Sequence, residues 1–177
     1  MGKLLIAYYS RPRSINIDGK TNIHKLGNTE QVAQKLQQLT KADIYRIDTA
    51  ISYPDNGDTL SEQAKLEKET KLRPKIKGKI PNMSHYDIII LGYPIWHDTM
   101  PMVVMSFLES ADFTNKIIIP FATHEISHMG NSENDLKIAC PNAIILPGTA
   151  LLATTLFKAN EAIASIAEVA MHPDHYL

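Results

Sequence analysis

The unbroken apolar run Ile-Ile-Ile-Leu at residues 88–91 most constrains how this chain can fold. Such a run, rich in β-branched residues, fits a strand buried on both faces, as central strands of parallel sheets are. Gly92-Tyr93-Pro94 ends the strand and takes the chain out of the sheet. Trp96 follows in a short loop, and Pro101 stands where proline is favoured, at the first turn of a helix. We therefore expect a strand, a loop and a helix over 101–109, which together form half of a βαβ unit.

The rest of the chain continues this alternation of strands and helices. The periodicity of apolar residues predicts further strands at 3–9, 42–48, 115–123 and 142–146. It predicts one further helix that begins at 27–29 and three more that cover 59–72, 131–139 and 158–170. Residues 11–26 form an irregular polar segment, and the apolar run 149–155 is not assigned to a helix or a strand. The alternation predicts a single α/β domain over 1–177, with a doubly wound five-stranded parallel sheet in the order 2-1-3-4-5 and helices on both faces.

Two local sequence features predict details of the backbone: the cap of the first helix and an irregularity in one strand. Asn28, followed three residues later by Gln31, resembles a capping box, so we expect Asn28 to cap the first helix. Pro120 lies within the predicted strand 115–123, where it cannot donate a hydrogen bond to the sheet. We therefore expect an irregularity in the sheet at this proline.

Charge and cysteine content exclude several classes of protein. The formal net charge of −1 gives no electrostatic reason to expect binding to nucleic acid or to a membrane surface. Cys140 is the single cysteine, which excludes an internal disulfide and a Cys-Cys metal site, and we expect it to fill a small space in the core. No apolar stretch approaches the roughly 20 residues of a membrane span. The N-terminal apolar run shows no cleavage-site pattern, so we expect a cytoplasmic protein.

Three loops follow the predicted strands 3–9, 88–91 and 115–123. In the expected strand order they converge where the order reverses, which is where such sheets bind ligands. The first loop offers hydroxyls and a helix N-terminus, the second offers the apolar and aromatic segment Pro-Ile-Trp-His, and the third offers a threonine, two histidines and a glutamate. Hydroxyls and unpaired N–H groups suit a phosphate, and the second loop suits a flat apolar ring. The Gly-x-Gly-x-x-Gly pattern of dinucleotide sites is absent, and so are the acidic residues of a phosphorylatable receiver domain.

These motifs resemble those of the flavodoxin-like FMN-binding proteins. Leu5-Ile6-Ala7-Tyr8-Tyr9-Ser10, followed by Gly27-Asn28-Thr29-Glu30-Gln31-Val32-Ala33, is similar to the strand and phosphate loop of that family. Tyr86 to Trp96, followed by Met100-Pro101, is similar to its second FMN loop. The resemblance covers nearly the whole chain, and it implies a flavodoxin-like fold and an FMN cofactor.

The resemblance also implies the residues that contact FMN. The phosphate would be held by Ser10, Asn28 and Thr29. The ring and the ribityl chain would lie along Pro94, Ile95, Trp96 and His97, and the ring edge would meet a loop formed by residues 123–130. The candidate cofactor-binding residues are Ser10, Arg11, Gly27, Asn28, Thr29, Pro94, Ile95, Trp96, His97, Thr123, His124, Glu125 and Gly130. The chain departs from the family pattern in the sixteen residues between Ser10 and Gly27, where Arg11 or Arg13 would add positive charge, and in its third loop.

The family resemblance implies redox chemistry supplied by FMN, and two functions remain open. One is electron transfer between partner proteins, and the other is an NAD(P)H-dependent reductase of quinones or similar small acceptors, with His97, His124 or Glu125 assisting proton delivery. A hydrolase using Ser10 and His124 is a distant alternative, because the Gly-x-Ser-x-Gly elbow is missing. A metal site built from His97, His124 and His128 is a further alternative, although these residues lack a tight ligand spacing. The sequence does not decide whether the protein forms a homodimer.

Overall fold

The computed structural model describes residues 2–17, 20–24 and 26–177, with side chains described outside 13–17 and 20–24. Its strands are β1 (Leu4–Tyr9), β2 (Arg13–Ile17), β3 (Lys20–His24), β4 (Asp43–Ile47), β5 (Ile88–Pro94), β6 (Ile117–His124), β7 (Ile144–Ile145) and β8 (Thr149–Leu152). Its α-helices are α1 (Asn28–Thr40), α2 (Gly57–Glu69), α3 (Met102–Glu109), α4 (Ser132–Ala139) and α5 (Asn160–Met171).

The main sheet is parallel, and its strands lie in the order β4-β1-β5-β6, with β7 and β8 sharing the outer position beside β6. Counted along the main sheet, this is the expected order 2-1-3-4-5, so the predicted fold class is confirmed. Because β1 and β5 are neighbours whose connections leave in opposite directions, the switch point lies between them. The loops after β1 and β5 therefore open on the same edge of the sheet.

Pro120 coincides with the break between β7 and β8. The N–H of Ile117 is donated to Asp87, at the start of β5. The backbone N–H groups of successive residues in a strand point alternately toward its two neighbouring strands. The backbone nitrogen of Pro120, three residues after Ile117, therefore points toward the outer strand and not toward β5. β7 pairs with Ile117 and Ile118, and β8 resumes the pairing only at Phe121. The missing N–H of the proline thus lies where the outer strand is interrupted, which is the irregularity expected from the sequence.

Two apolar layers cover the faces of the sheet. On one face, α1 and α5 pack against Ile6, Ile90 and Phe121. On the other face, α3 and α4 pack against Leu5, Leu91 and neighbouring side chains. This division follows from the alternation of side chains along buried strands, each of which contributes residues to both layers. None of the helices described is long and apolar enough to cross a membrane.

The segment 11–26 differs from the expectation of an irregular polar stretch. β2 and β3 pair in an antiparallel hairpin, with Arg13 opposite His24 and Ile17 opposite Lys20. The sequence carried a signal for this, because residues 14–17 alternate polar and apolar side chains and Asp18-Gly19 is a dipeptide typical of two-residue hairpin loops. The hairpin is a separate two-stranded sheet, inserted between β1 and α1.

Candidate functional site

A cleft of about 590 Å³ opens at the carboxyl ends of β1, β5 and β6. Its volume lies in the range of small-molecule and cofactor sites. Ten of the thirteen predicted site residues line it: Ser10, Arg11, Asn28, Thr29, Pro94, Ile95, Trp96, Thr123, His124 and Glu125. The three loops identified in the sequence therefore meet at one place, because parallel strands end at a common edge.

Ser10, at the end of β1, caps helix α1 from outside the helix. Gly27, and not the expected Asn28, is the N-cap residue, and no side chain of the helix itself caps this end. Instead, the N–H of Glu30 donates to Ser10 Oγ at 3.2 Å. Because its oxygen accepts this bond, the Ser10 hydroxyl keeps its own hydrogen for another acceptor.

The first loop is packed tightly against the start of α1. A Cβ at Gly27 would lie 2.1 Å from the backbone oxygen of Arg11 and 2.3 Å from Ser10 Oγ, so a side chain is excluded there. The N–H groups of Asn28 and Thr29 find no hydrogen-bond acceptor among the described residues. Unpaired donors at the positive end of a helix dipole form a site for an anion.

Thr29 joins this anion site to the third loop. Its Oγ1 lies 2.7 Å from Thr123 Oγ1, and the two residues are only 2% and 4% exposed. Two hydroxyls that bond to each other use only one of their two hydrogens. The remaining hydrogen has no acceptor among the described residues, while both threonines line the cleft. A buried donor left in this way favours a ligand with acceptor oxygens.

A cluster of three polar side chains, of which Arg46 is partly exposed to solvent, supports the first loop. Glu30 is 8% exposed, and its two carboxylate oxygens accept separate bonds: 3.1 Å from Tyr8 Oη and 2.9 Å from Arg46 Nη1. Arg46 Nη2 also donates to the backbone oxygen of Ser10 at 3.0 Å. Burial and the charge of Glu30 raise the pKa of Tyr8 to about 12, so the phenol keeps its proton and remains a donor. Sequence reasoning missed this cluster, because its members come from β1, α1 and β4.

The second loop forms a two-residue hairpin turn after β5. Trp96 and Thr99 exchange backbone hydrogen bonds of 2.8 and 3.1 Å around His97 and Asp98, whose φ angles are 47° and 68°. Two successive positive φ angles define a type I′ turn, which is costly for residues other than glycine, asparagine or aspartate. The turn fixes the direction in which each side chain leaves the loop.

Trp96 stays in the cleft, whereas His97 turns away from it. The indole packs edge-on against Tyr9 at 5.5 Å and Tyr53 at 5.2 Å between ring centroids. His97 Nε2 lies 2.7 Å from the backbone oxygen of Ser61 on α2 instead. The structure thus places His97 outside the cleft lining, as an anchor of the turn to helix α2.

The third loop holds His124 in one tautomer. Its Nδ1 accepts a hydrogen bond from the N–H of His128 at 3.1 Å, so the neutral ring carries its proton on Nε2. Burial, followed by the charge of His128, lowers the pKa of His124. The two rings are stacked at a tilt, 4.9 Å apart. His124 is therefore held as a neutral hydrogen-bond donor beside the cleft.

Gly130 lies against the second loop and does not line the cleft. Its φ is 51°, and a Cβ would lie 2.5 Å from the backbone oxygen of Asp98. Asn131 donates its N–H to that same oxygen at 2.7 Å. The glycine thus permits the close contact that holds the second and third loops together.

The cleft also contains residues that the sequence did not single out: Pro12, Asp55, Gly57, Leu60 and Ala153. Ile126 and Ser127, which were predicted only as part of the loop 123–130, line it as well. Asp55, Gly57 and Leu60 belong to the connector before α2 and to α2 itself. The signal that points to this segment is its turn-rich composition, Tyr-Pro-Asp-Asn-Gly-Asp at 53–58, which places a loop near the sheet edge.

The rival chemistries find no geometric support in the described residues. Ser10 Oγ accepts from the N–H of Glu30 and His124 Nδ1 accepts from that of His128, with no hydrogen bond recorded between these two side chains. The His97 side chain is hydrogen-bonded to Ser61 of α2, whereas His124 and His128 pack against each other. Within the part of the chain that the structure describes, no cluster of three or more histidine, cysteine or acidic side chains is arranged to hold a metal.

Comparison with known proteins gives a family match over most of the chain. A family model described as Flavodoxin matches residues 21–166. A candidate flavoprotein from Bacteroides eggerthii is 29% identical, with 93% of this chain and 99% of that chain covered and a TM-score of 0.70. A second one, from Bacteroides uniformis, is 27% identical, with 92% and 98% covered and a TM-score of 0.73.

A more distant structure shares the fold. It is a flavoprotein in complex with FMN from Lactobacillus acidophilus, 17% identical, with 89% of this chain and 97% of that chain covered and a TM-score of 0.64. No curated protein sequence matches the chain.

Proposed function

The chain belongs to the flavodoxin family, and from this premise we propose that it binds FMN in the cleft and transfers electrons through it. The observation that carries the proposal is the division of the cleft into two chemically different ends. Hydroxyls and unpaired backbone N–H groups come from the first loop and the start of α1, which we assign as one end, and apolar and aromatic side chains come from the second loop, which we assign as the other. This division matches a cofactor with a phosphate at one end and a flat ring at the other.

The first end supplies donors for the phosphate. Ser10 and the hydroxyl pair of Thr29 and Thr123 each offer one hydrogen, and Asn28 and Thr29 offer backbone N–H groups at the positive end of α1. Arg11 lines the same region with a side chain that is 23% exposed, and its partner Asp55 is fully exposed at 3.7 Å. Such a long, exposed ion pair is weak, so the guanidinium remains able to attract a phosphate.

The second end supplies a wall for the ring. Pro94, Ile95 and Trp96 are partly buried and line the cleft, and Ile95 is fixed by donating its N–H to the oxygen of Thr123 at 3.0 Å. The edge-on packing of Trp96 on Tyr9 and Tyr53 holds the indole in place before any ligand enters. A preorganised apolar wall excludes water from one side of a bound ring.

FMN would supply the redox chemistry, and this chain would supply position and electrostatics. His124 offers a neutral Nε2–H donor beside the cleft, and its Nδ1 is occupied by the third loop. The second and third loops are joined at Gly130, so the walls of the cleft form a connected unit. These side chains bind and orient a cofactor, and none of them needs to act as a nucleophile.

We favour electron transfer as the role of the bound cofactor, with a redox protein or a small molecule as the partner. A second candidate, an NAD(P)H-dependent reductase of quinones or similar acceptors, is favoured by one observation. Arg11 and Pro12 line the cleft, and the additional chain that forms the hairpin of β2 and β3 follows them directly in the sequence. Cytoplasmic location and a homodimer stay predictions, which cell fractionation and gel filtration would test.

The proposal is tested by titrating the apoprotein with FMN and with riboflavin, which lacks the phosphate. Because several charge-assisted hydrogen bonds are lost with the phosphate, we expect riboflavin to bind on the order of 100-fold more weakly. Equal affinities would contradict the assigned phosphate end, and no binding of either compound would refute the proposed cofactor. Steady oxidation of NAD(P)H with a quinone by the FMN-loaded protein would favour the reductase over a carrier.

A further inference from the structure

Glu30 occupies a position from which its carboxylate would normally obstruct an anion site. It is the third residue of α1, after the N-cap Gly27. A glutamate at this position commonly turns back and accepts a bond from the N–H of the N-cap residue, as in a capping box. A carboxylate in that place would occupy the N-terminus of α1 and repel a phosphate.

Here the carboxylate is held in the opposite direction by two side chains. Tyr8 Oη donates to one oxygen at 3.1 Å and Arg46 Nη1 donates to the other at 2.9 Å. Tyr8 and Arg46 are register partners on the adjacent strands β1 and β4, so the sheet itself sets the spacing of the two donors. The Glu30 side chain is 10% exposed, which means that these two bonds replace most of its contact with water.

Arg46 also fixes the first loop. Its second nitrogen, Nη2, donates to the backbone oxygen of Ser10 at 3.0 Å, while Ser10 Oγ accepts from the N–H of Glu30 at 3.2 Å. One guanidinium therefore neutralises the buried carboxylate and orients the residue that caps α1. This arrangement leaves the unpaired N–H groups of Asn28 and Thr29 open toward the cleft.

We propose that Arg46, assisted by Tyr8, is a positioning residue that keeps the Glu30 carboxylate off the N-terminus of α1 and so keeps the phosphate end of the cleft open. This inference rests on the proposed function, because it concerns the affinity of the same cleft for FMN. Without the guanidinium, the carboxylate turns back onto the vacant N–H groups and acts as a competitor within the chain. The phosphate of FMN then meets both an occupied site and an uncompensated negative charge.

The variant Arg46→Gln tests the proposal. It retains hydrogen-bonding capacity but removes the charge, and FMN affinity is expected to fall about 10- to 100-fold because a like charge then faces the phosphate. Riboflavin affinity is expected to change less than about threefold, since riboflavin carries no phosphate. Tyr8→Phe should shift the same ratio in the same direction by a smaller amount.

The double variant Arg46→Gln with Glu30→Gln supplies the decisive comparison. Removing the carboxylate removes the competitor, so FMN affinity is expected to recover to within about threefold of wild type. Arg73→Gln is the matched control, because Arg73 forms a 2.8 Å pair with Glu109 outside the cleft. Its FMN and riboflavin affinities are both expected to match those of wild type. Thermal unfolding of each apoprotein verifies that the variants fold.

Two results would overturn the inference. A parallel loss of FMN and riboflavin affinity in Arg46→Gln would show that Arg46 is only a structural support of the cleft. Failure of the double variant to regain FMN affinity would show that the carboxylate is not the competitor. Both results presuppose that the wild-type protein prefers FMN to riboflavin. If the wild-type titration shows no preference for FMN over riboflavin, the proposed function itself is refuted.

Discussion

Replacing Gly27 with alanine should loosen the first loop and weaken FMN binding. The backbone of Gly27 has φ −71° and ψ 162°, which alanine adopts without strain, so the effect is purely steric. The added Cβ would lie 2.1 Å from the Arg11 backbone oxygen and 2.3 Å from Ser10 Oγ, whereas real Cβ atoms essentially never approach closer than 3.0 Å. The first loop and the start of α1 must therefore separate by about 1 Å.

The size of the effect follows from this displacement. Overpacking of a tight contact costs about 1–3 kcal/mol, which for a chain of this length lowers the melting temperature by about 2–12 °C. A displacement of about 1 Å would break at least one hydrogen bond to the phosphate, and a bond to a charged group contributes about 1.5–3 kcal/mol, so FMN affinity should fall by about 10- to 100-fold. Riboflavin affinity should fall much less, because the residues proposed to hold the ring belong to the second loop and not to the loop packed against Gly27.

The assay compares flavin titrations of Gly27→Ala with those of wild type, and compares its thermal unfolding with that of wild type and of Gly57→Ala. Gly57→Ala is a control for stability only, because Gly57 lines the cleft. A Cβ at Gly57 meets no atom within 4 Å, so that variant tests the exchange of glycine for alanine without a steric clash. Its stability should be unchanged or higher by up to about 1 kcal/mol, since Gly57 begins α2. Wild-type stability and wild-type FMN affinity in Gly27→Ala would refute the close packing of the first loop on α1.

Three further predictions concern other parts of the site and the core. Thr29→Val removes the 2.7 Å bond to Thr123 and should lower FMN affinity about tenfold, measured by flavin titration; unchanged affinity would remove the hydroxyl pair from the site. Because the pKa of His124 is lowered by burial and by His128, the unfolded chain takes up a proton first, and the free energy of unfolding should fall as the pH drops below about 6.5. Denaturant titrations of His124→Gln should show a flatter pH profile, and an identical profile would contradict this assignment. Burial raises the pKa of Cys140 to about 11, so a thiol reagent at about pH 8 should modify it only after denaturation, and rapid modification of the native chain would contradict its burial.

The sheet and the meeting of the three loops could be predicted from the sequence because they depend on patterns local to each strand. The apolar run at 88–91 identified β5 as a buried strand. The expectation that residues 92–94 leave the sheet was wrong, because β5 spans Ile88–Pro94 and all three residues pair with β6. Parallel strands end at a common edge, so loops far apart in sequence were expected together without knowledge of any contact. Ser10, Thr29 and Thr123 were identified in this way.

Features that depend on contacts between elements could not be predicted. The cap of α1 comes from Ser10, seventeen residues before the N-cap Gly27, and no local capping signal contains it. Glu67 of α2 illustrates the same limit: charged side chains of a helix are usually solvated, yet Glu67 is 4% exposed and accepts a 2.7 Å bond from Tyr53. The His97 side chain points away from the cleft because its turn has two positive φ angles. The sequence does not specify such angles for a His-Asp pair.

The fluorescence of Trp96 during an FMN titration tests the central claim most directly. Trp96 is the only tryptophan in the chain and lines the cleft, so its emission reports on that one place. If FMN binds with its ring against the second loop, the emission is quenched progressively and the quenching saturates at one equivalent of FMN. Binding of FMN detected by equilibrium dialysis, but without a change in tryptophan emission, would place the cofactor elsewhere and contradict the account.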